Sequence, residues 1–230
     1  MSVACEVWWS RPVASAEDHL HTLDSTERGR FDAYRQDADK LRFLTGRVLA
    51  RLAVARRLGT EPGAITFDAT CQDCGKPHGR PRVVGHDKIS LSLSHSGDRV
   101  GVAVTAGTPV GLDVESVSRR ATDDLINYAL NDSERAAVNG LTADDAAAAF
   151  FTYWARKEAL MKATGRGLKI PLRSITLSAP GEPARLVAAD DALDPATTTL
   201  RDVEPGPGYR AAVAVLTGAS VNITERWATF

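Results

Sequence analysis

The chain has 230 residues, of which 43% are hydrophobic and 25% charged, with 18 Gly and 11 Pro. That usage excludes disordered, collagen-like and coiled-coil chains and leaves room for one large domain or two small ones. The 28 Lys and Arg nearly cancel 29 Asp and Glu, for a net charge of -1, so the molecule as a whole is no electrostatic sleeve for nucleic acid and any anion site must be local.

Met1 to Pro12 carries Glu6 and no apolar run of the export type. The most apolar stretch, Ala146 to Ala155, is too short to cross a bilayer. Three cysteines, Cys5, Cys71 and Cys74, are too few for a disulfide scaffold. A cytoplasmic protein with no membrane partner is expected. In chain order, the first strong signal is Leu41, Leu44, Val48, Leu52, Ala55 and Leu58, at steps of three and four before Gly59; this predicts an amphipathic helix with Arg42, Arg47 and Arg51 among its other positions. Cys71 and Cys74 then stand at zinc-ligand spacing with His78, His86 or Cys5 as further candidates but no second C-x-x-C. A metal knuckle and an ordinary turn both remain open. Lys76, Arg80 and Arg82 in the same Gly and Pro loop could clamp phosphate.

Ile89, Leu91 and Leu93 alternate with serines up to Ser94, and Val100 to Thr105 follows a Ser-Gly-Asp turn, which predicts a hairpin. The turn's Ser94, His95 and Ser96 offer hydroxyls and an imidazole suited to phosphate contact. In Gly111-Leu112-Asp113-Val114-Glu115 apolar and acidic residues alternate. Period two puts both carboxylates on one strand face, roughly 6 to 7 Å apart, where they attract a hard cation such as Mg²⁺. The other reading is a solvated acidic edge. Thr142, Asp144 and Asp145 open a second helix that runs through Trp154 to Gly165. On it Glu158 and Lys162 share a face, as a surface ion pair or as an acid-base couple. Residues 179–208 read as loops with one or two short strands.

Aligning Phe43 with Trp154, Ile65 with Ile175 and Val102 with Val213 gives one separation of about 110 residues, as expected of an internal duplication. Two similar α+β halves are predicted, residues 1–108 and 109–230, with a seam near Gly107 to Val110.

Together Gly75-Lys76-Pro77, Ser94-His95-Ser96, Gly111 to Glu115 and Trp154-Ala155-Arg156-Lys157-Glu158 through Lys162 to Gly165-Arg166-Gly167-Leu168 resemble the marks of the 4'-phosphopantetheinyl transferases, in the long, two-half Sfp-type branch. Arg42 to Arg47 joins the resemblance. It implies a pseudo-twofold α+β fold with the active site in the cleft between halves. It also implies transfer of the phosphopantetheine arm from coenzyme A to a serine of an acyl or peptidyl carrier protein, releasing 3',5'-ADP. By the family's pattern Asp113, Glu115 and Glu158 hold Mg²⁺. Glu158 acts as base, directly or through water, and Lys162 serves the departing nucleotide. Lys76, Ser94 and His95 hold the coenzyme with Lys157, while Arg42 and Arg47, with Arg28 or Arg30, lie on its 3'-phosphate side. A single chain carrying both halves is expected to be a monomer, with the carrier docking beside Val117 to Leu130. A coenzyme A pyrophosphate hydrolase and a non-catalytic coenzyme A binding module are the rival readings.

Overall fold

A computed structural model describes residues 2–166, 170–190 and 193–230. The chain is a mixed α+β structure with the helices packed on the outer faces of two sheets. The first sheet is built from β1 (Val3–Ser10), β4 (Ile89–Ser96), β5 (Arg99–Ala106) and β11 (Val221–Trp227), in the order β11-β1-β5-β4. Strands β1, β5 and β4 are antiparallel, and β11 returns from the end of the chain to pair parallel with β1. The second sheet, from β6 (Val110–Ser116), β9 (Thr198–Val203) and β10 (Tyr209–Leu216), runs antiparallel in the order β6-β10-β9. In each sheet the strand that opens its half thus lies beside the last member of a hairpin.

The expected hairpin forms β4 and β5, with Ser96 opposite Arg99 and Gly97 at φ 55; glycine fits this left-handed position because it has no Cβ to clash. Helix α1 (Ser25–Ala33) starts at an Asp24 and Glu27 capping box. The periodic stretch after it is α2 (Asp37–Leu58), closed by Gly59 at φ 69. Its apolar face, Leu49, Ala50, Ala53 and Val54, packs on Val100, Val102 and Val104 of β5. In the second half α3 (Asp123–Ala129) and α4 (Asp132–Val138) precede α5 (Ala143–Thr164), which Thr142 caps and Gly165 ends at φ 68. Phe150, Phe151, Ala159 and Leu160 of α5 share a core with Ala212 and Ala214 of β10. Between the sheets Val7 and Trp9 meet Leu112, Val114, Val213 and Val215. The period of two therefore sends Val110, Leu112 and Val114 to the inter-sheet core, leaving Asp113 and Glu115 on the helix side. The loop-rich segments of the two halves hold the two-residue strands β2 (Phe67–Asp68), β3 (Arg82–Val83) and β7 (Thr176–Leu177) and the short β8 (Leu186–Ala188). Among the described residues no helix is long and apolar enough to cross a membrane.

Strands β4 and β6, each the edge of its own sheet, are joined by side chains. Ser90, Ser92, Ser94 and Ser96 each accept, through Oγ, the backbone N–H of Val110, Leu112, Val114 and Ser116 in turn, at 3.2, 3.0, 3.2 and 3.1 Å. The alternating serines of β4 thereby satisfy a row of buried donors that no neighbouring strand pairs.

Candidate active site

The serine row also sets the acids. Ser94 Oγ donates to Asp113 Oδ1 at 2.8 Å, and Ser96 Oγ donates to Glu115 Oε2 at 3.0 Å. Asp113 is 5% exposed, and burial raises its carboxyl above the usual range, against the pull of Lys162. Lys162 Nζ donates to Asp113 Oδ1 at 2.7 Å, to Ser94 Oγ at 3.0 Å and to Leu112 O at 3.1 Å. Asp113 Oδ2 is buried without a hydrogen-bond partner among the described residues. Glu115 Oε2 also receives Arg119 at 2.6 Å, a contact absent from the sequence reading because it forms across the turn that follows β6 and carries no periodic signal.

Glu158 reaches the same place from α5, one turn before Lys162. Its carboxylate is half-buried and takes no hydrogen bond among the described residues. Burial, then the charges of Asp113 and Glu115, raise its pKa, with Lys162 opposing. The three carboxylates do not gather their oxygens within 4.8 Å of one another, since only Cys71, Cys74 and His78 do so among the described residues; Lys162 and Arg119 draw Asp113 and Glu115 to themselves.

Across from the acids, a cleft of about 350 Å³ is lined by Arg30, Tyr34, Arg42, Phe43, Arg47 and His95 on one side and by Asp113, Glu115 and Lys162 on the other. Of the two upstream candidates Arg30 faces the cleft, its guanidinium 5.1 Å from the Phe43 ring, whereas Arg28 pairs with Asp32 at 3.7 Å. Arg42 is held by Asp39 at 2.5 Å and by Gly97 O at 3.0 Å. Arg47 is buried beside Glu27, at 3.4 Å, with one terminal nitrogen lacking a partner; burial lowers its pKa to about 10. A desolvated guanidinium with an unused donor is suited to an anion. His95 is kept below its ordinary pKa by desolvation and then by Arg42 and Lys162.

Several sequence expectations fall elsewhere. Lys157 does not reach the cleft: its fully buried ammonium donates to Glu134 at 2.5 Å, Ala129 O at 2.8 Å and Leu172 O at 2.9 Å, which makes it a core clamp and not a coenzyme contact. Lys76 is exposed in the β2–β3 loop and lies outside the cleft lining. Ser94 borders the cleft, but its single proton goes to Asp113, so it orients a carboxylate where donation to phosphate was expected. Arg80 and Arg82 form no phosphate clamp. Arg82 pairs with Asp68 at 2.7 Å, and Arg80 donates to Leu91 O, Lys162 O, Ser90 Oγ and Val110 O at 3.1, 3.1, 2.8 and 2.9 Å. Gly167 and Leu168 lie outside the described residues.

Two family models match the chain. The model of the 4'-phosphopantetheinyl transferase superfamily matches residues 109–214, and that of the 4'-phosphopantetheinyl transferase N-terminal region matches residues 8–107. The 4'-phosphopantetheinyl transferase HetI of Nostoc sp. is 33% identical over 209 residues, covering 89% of this chain and 83% of the relative. A 4'-phosphopantetheinyl transferase of Bacillus subtilis is 27% identical over 173 residues, 74% of each chain. Among solved structures, a holo-(acyl-carrier-protein) synthase from Bacillus anthracis in complex with CoA (3',5'-ADP) is 20% identical, covers 48% of this chain and 96% of its own, and has a TM-score of 0.41. With two acids and a lysine fixed across a cleft from a row of arginines, and a relative that is 33% identical along 89% of the sequence, this chain belongs to the 4'-phosphopantetheinyl transferase family.

Proposed function

We propose that the chain transfers the 4'-phosphopantetheine arm of coenzyme A to a serine hydroxyl of an apo acyl or peptidyl carrier protein and releases 3',5'-ADP. The observation that carries this reading is a cleft with cations on one wall, Arg30, Arg42 and Arg47, and Asp113, Glu115 and Lys162 on the other, with Glu158 in the adjoining cavity that Lys162 also lines. The arginines suit the phosphates of coenzyme A, and Arg47 supports this with its unpartnered buried nitrogen. In the reaction the serine oxygen forms a bond to the phosphorus that carries pantetheine, the bond from that phosphorus to the bridging oxygen breaks, and the bridging oxygen leaves with 3',5'-ADP.

Glu158, raised in pKa and free of hydrogen bonds among the described residues, is suited to take the serine proton. Lys162 is suited to neutralise the leaving phosphate, and its hold on Asp113 fixes where its charge sits. Asp113, Glu115 and Glu158 would hold Mg²⁺. The fit is supported by the unpartnered, buried Asp113 Oδ2 and by an all-oxygen donor set, the type a hard divalent ion takes. When bound there, Mg²⁺ supplies charge neutralisation at the diphosphate. The chain's own share is to hold the acids with Ser94 and Ser96 and to align the coenzyme, which is most of what phosphoryl-type transfer needs.

Residues 1–108 provide the coenzyme side of the site in this reading, and residues 109–230 provide the acids and the catalytic helix. One polypeptide supplies both walls, which supports a monomer, and three free cysteines suit a reducing cytoplasm. Exposed Arg119, with Arg120 beside it, supports approach of an acidic carrier along residues 117–130.

The test is mass spectrometry of apo-carriers from fatty-acid, polyketide, nonribosomal-peptide and siderophore assembly, incubated with coenzyme A, Mg²⁺ and the protein. The expected result is a carrier that gains one phosphopantetheine, with the rate down about 10²-fold or more in Glu158→Gln and coenzyme A binding retained. Free phosphopantetheine without carrier modification would instead identify a hydrolase, and coenzyme A binding with no product would identify a binding module.

A further inference from the structure

Outside the cleft, the β2–β3 loop brings together donor atoms that the transfer reaction does not use. The sulfurs of Cys71 and Cys74 and a ring nitrogen of His78 all lie within 4.8 Å of one another, with Cys74 Sγ 3.0 Å from His78 Nε2. The backbone is folded to present them. Cys71 N–H donates to Lys76 O at 2.8 Å, and Gly75, at φ 71, donates its N–H to Cys71 O at 2.9 Å. Gly79 closes the loop by donating to Ala69 O at 2.7 Å, and there a Cβ would stand 2.7 Å from Thr70 O and 2.9 Å from the Cys71 Cα. The loop can thus cross itself only at a glycine. The backbone N–H groups of Asp73 and Cys74 point at the Cys71 sulfur.

Burial does not account for this shape. Residues 72–78 are exposed throughout and Cys71 is half-buried, so apolar packing does not hold Cys74 and His78 in place. Cys5, the remaining sulfur, cannot serve as a fourth ligand: it is fully buried in the inter-sheet core, where burial pushes its thiol up to about 12. His86 is not among the converging groups. Two sulfurs and an imidazole suit a borderline-soft ion of tetrahedral preference, Zn²⁺ above all, and not the hard ions that the acids of the cleft attract.

We propose that Cys71, Cys74 and His78 form a zinc site, with the fourth position open to water, that fixes the β2–β3 loop against the cleft. The loop continues directly into Arg80, whose guanidinium ties together β4, β6 and the last turn of α5. His78, Gly79 and Arg80 also line a cavity of about 400 Å³ with Glu158 and Lys162. Ordering the knuckle therefore orders one wall of the space beside the catalytic helix.

The test is titration of reduced, metal-free, full-length protein with Co²⁺ in the absence of Mg²⁺, followed by competition with Zn²⁺. The expected result is a thiolate-to-cobalt charge-transfer absorption that saturates near about one ion per chain and is bleached by Zn²⁺. Cys71→Ser and Cys74→Ser abolish the band, His78→Ala weakens Co²⁺ binding at least about tenfold, and Cys5→Ser leaves it unchanged. In the unmodified protein, Zn²⁺ should slow amide hydrogen exchange across Gln72 to Lys76 about tenfold, because it binds the ordered loop. No charge-transfer band, a band that survives the Cys71→Ser, Cys74→Ser double variant, or an exchange rate across Gln72 to Lys76 that Zn²⁺ leaves unchanged would overturn the proposal.

Discussion

Lys157 and Lys162 lie five residues apart on one helix and do opposite work. Lys162 points into the cleft and binds Asp113. Lys157 is buried, and its pKa is lowered by that burial although Glu134 favours its charge. Glu134 is itself 2% exposed and also accepts the backbone N–H of Leu177 at 3.1 Å. Lys157→Met should therefore strand a buried carboxylate, at a cost of about 3–5 kcal/mol, which lowers Tm by roughly 10 °C in a chain of this size. Differential scanning fluorimetry should record that fall, while the dissociation constant for coenzyme A in the folded protein stays within about twofold of the parent. Loss of coenzyme affinity with an unchanged Tm would return Lys157 to the cleft. This distinction was partly legible in the sequence. At 100° per residue Glu158 and Lys162 share a face, whereas Lys157 lies about 140° around the helix from Lys162. The identity of its partner was not legible, because Glu134 belongs to another helix and meets Lys157 only through tertiary packing.

At the scale of elements, the contact between β6 and α5 decides whether the acids and Glu158 face one another. Gly111 is the second residue of β6, and a Cβ built there would fall 1.9 Å from Ala159 O and 2.4 Å from Ala163 N. Both atoms are helix backbone and cannot swing aside, so Gly111→Ala must displace α5 as a body and carry Glu158 and Lys162 with it. The expected cost is about 1–3 kcal/mol in stability, together with a fall in kcat/KM of about 10²-fold, the usual penalty for moving a catalytic group by about an ångström. Chemical denaturation and steady-state transfer assays on the same preparation check the pair of effects. A variant with parent-like turnover would show that the strand and helix need not touch. Alternation in Gly111 to Glu115 revealed the strand and the face its acids occupy; the reason for glycine did not show, since the helix that crowds it is 48 residues later in the chain. The two-residue strands β2, β3 and β7 were likewise invisible as strands, because a period of two needs more residues than they possess.

At the scale of the whole molecule, two sheets meet along β4 and β6 through serine hydroxyls. Ile89 to Ser96 reads plainly as a strand with a serine face, yet nothing in that pattern says what the serines bind. The return of β11 to β1 was equally hidden, as parallel pairing between the two ends of the chain leaves no local signature. Ser92 and Ser94 separate the structural from the functional part of this junction. Ser92→Ala leaves the buried Leu112 N–H unpaired and should cost about 1–3 kcal/mol with near-normal transfer, because Ser92 touches no carboxylate. Ser94→Ala should cost a similar amount and in addition slow transfer about tenfold or more, as Asp113 and Lys162 lose a shared partner. Urea titrations and carrier-modification rates on the two variants provide the comparison, and equal rates would show that Ser94 does not orient the acid. A bridge of hydroxyls is also longer and more compliant than a backbone ladder. In the proposed reaction a nucleotide would be gripped from both walls, and the strain would pass through four amide protons, those of Val110, Leu112, Val114 and Ser116. Their exchange with deuterated solvent thus becomes a built-in gauge of occupancy, slowing on ligation in proportion to how firmly the walls are drawn together.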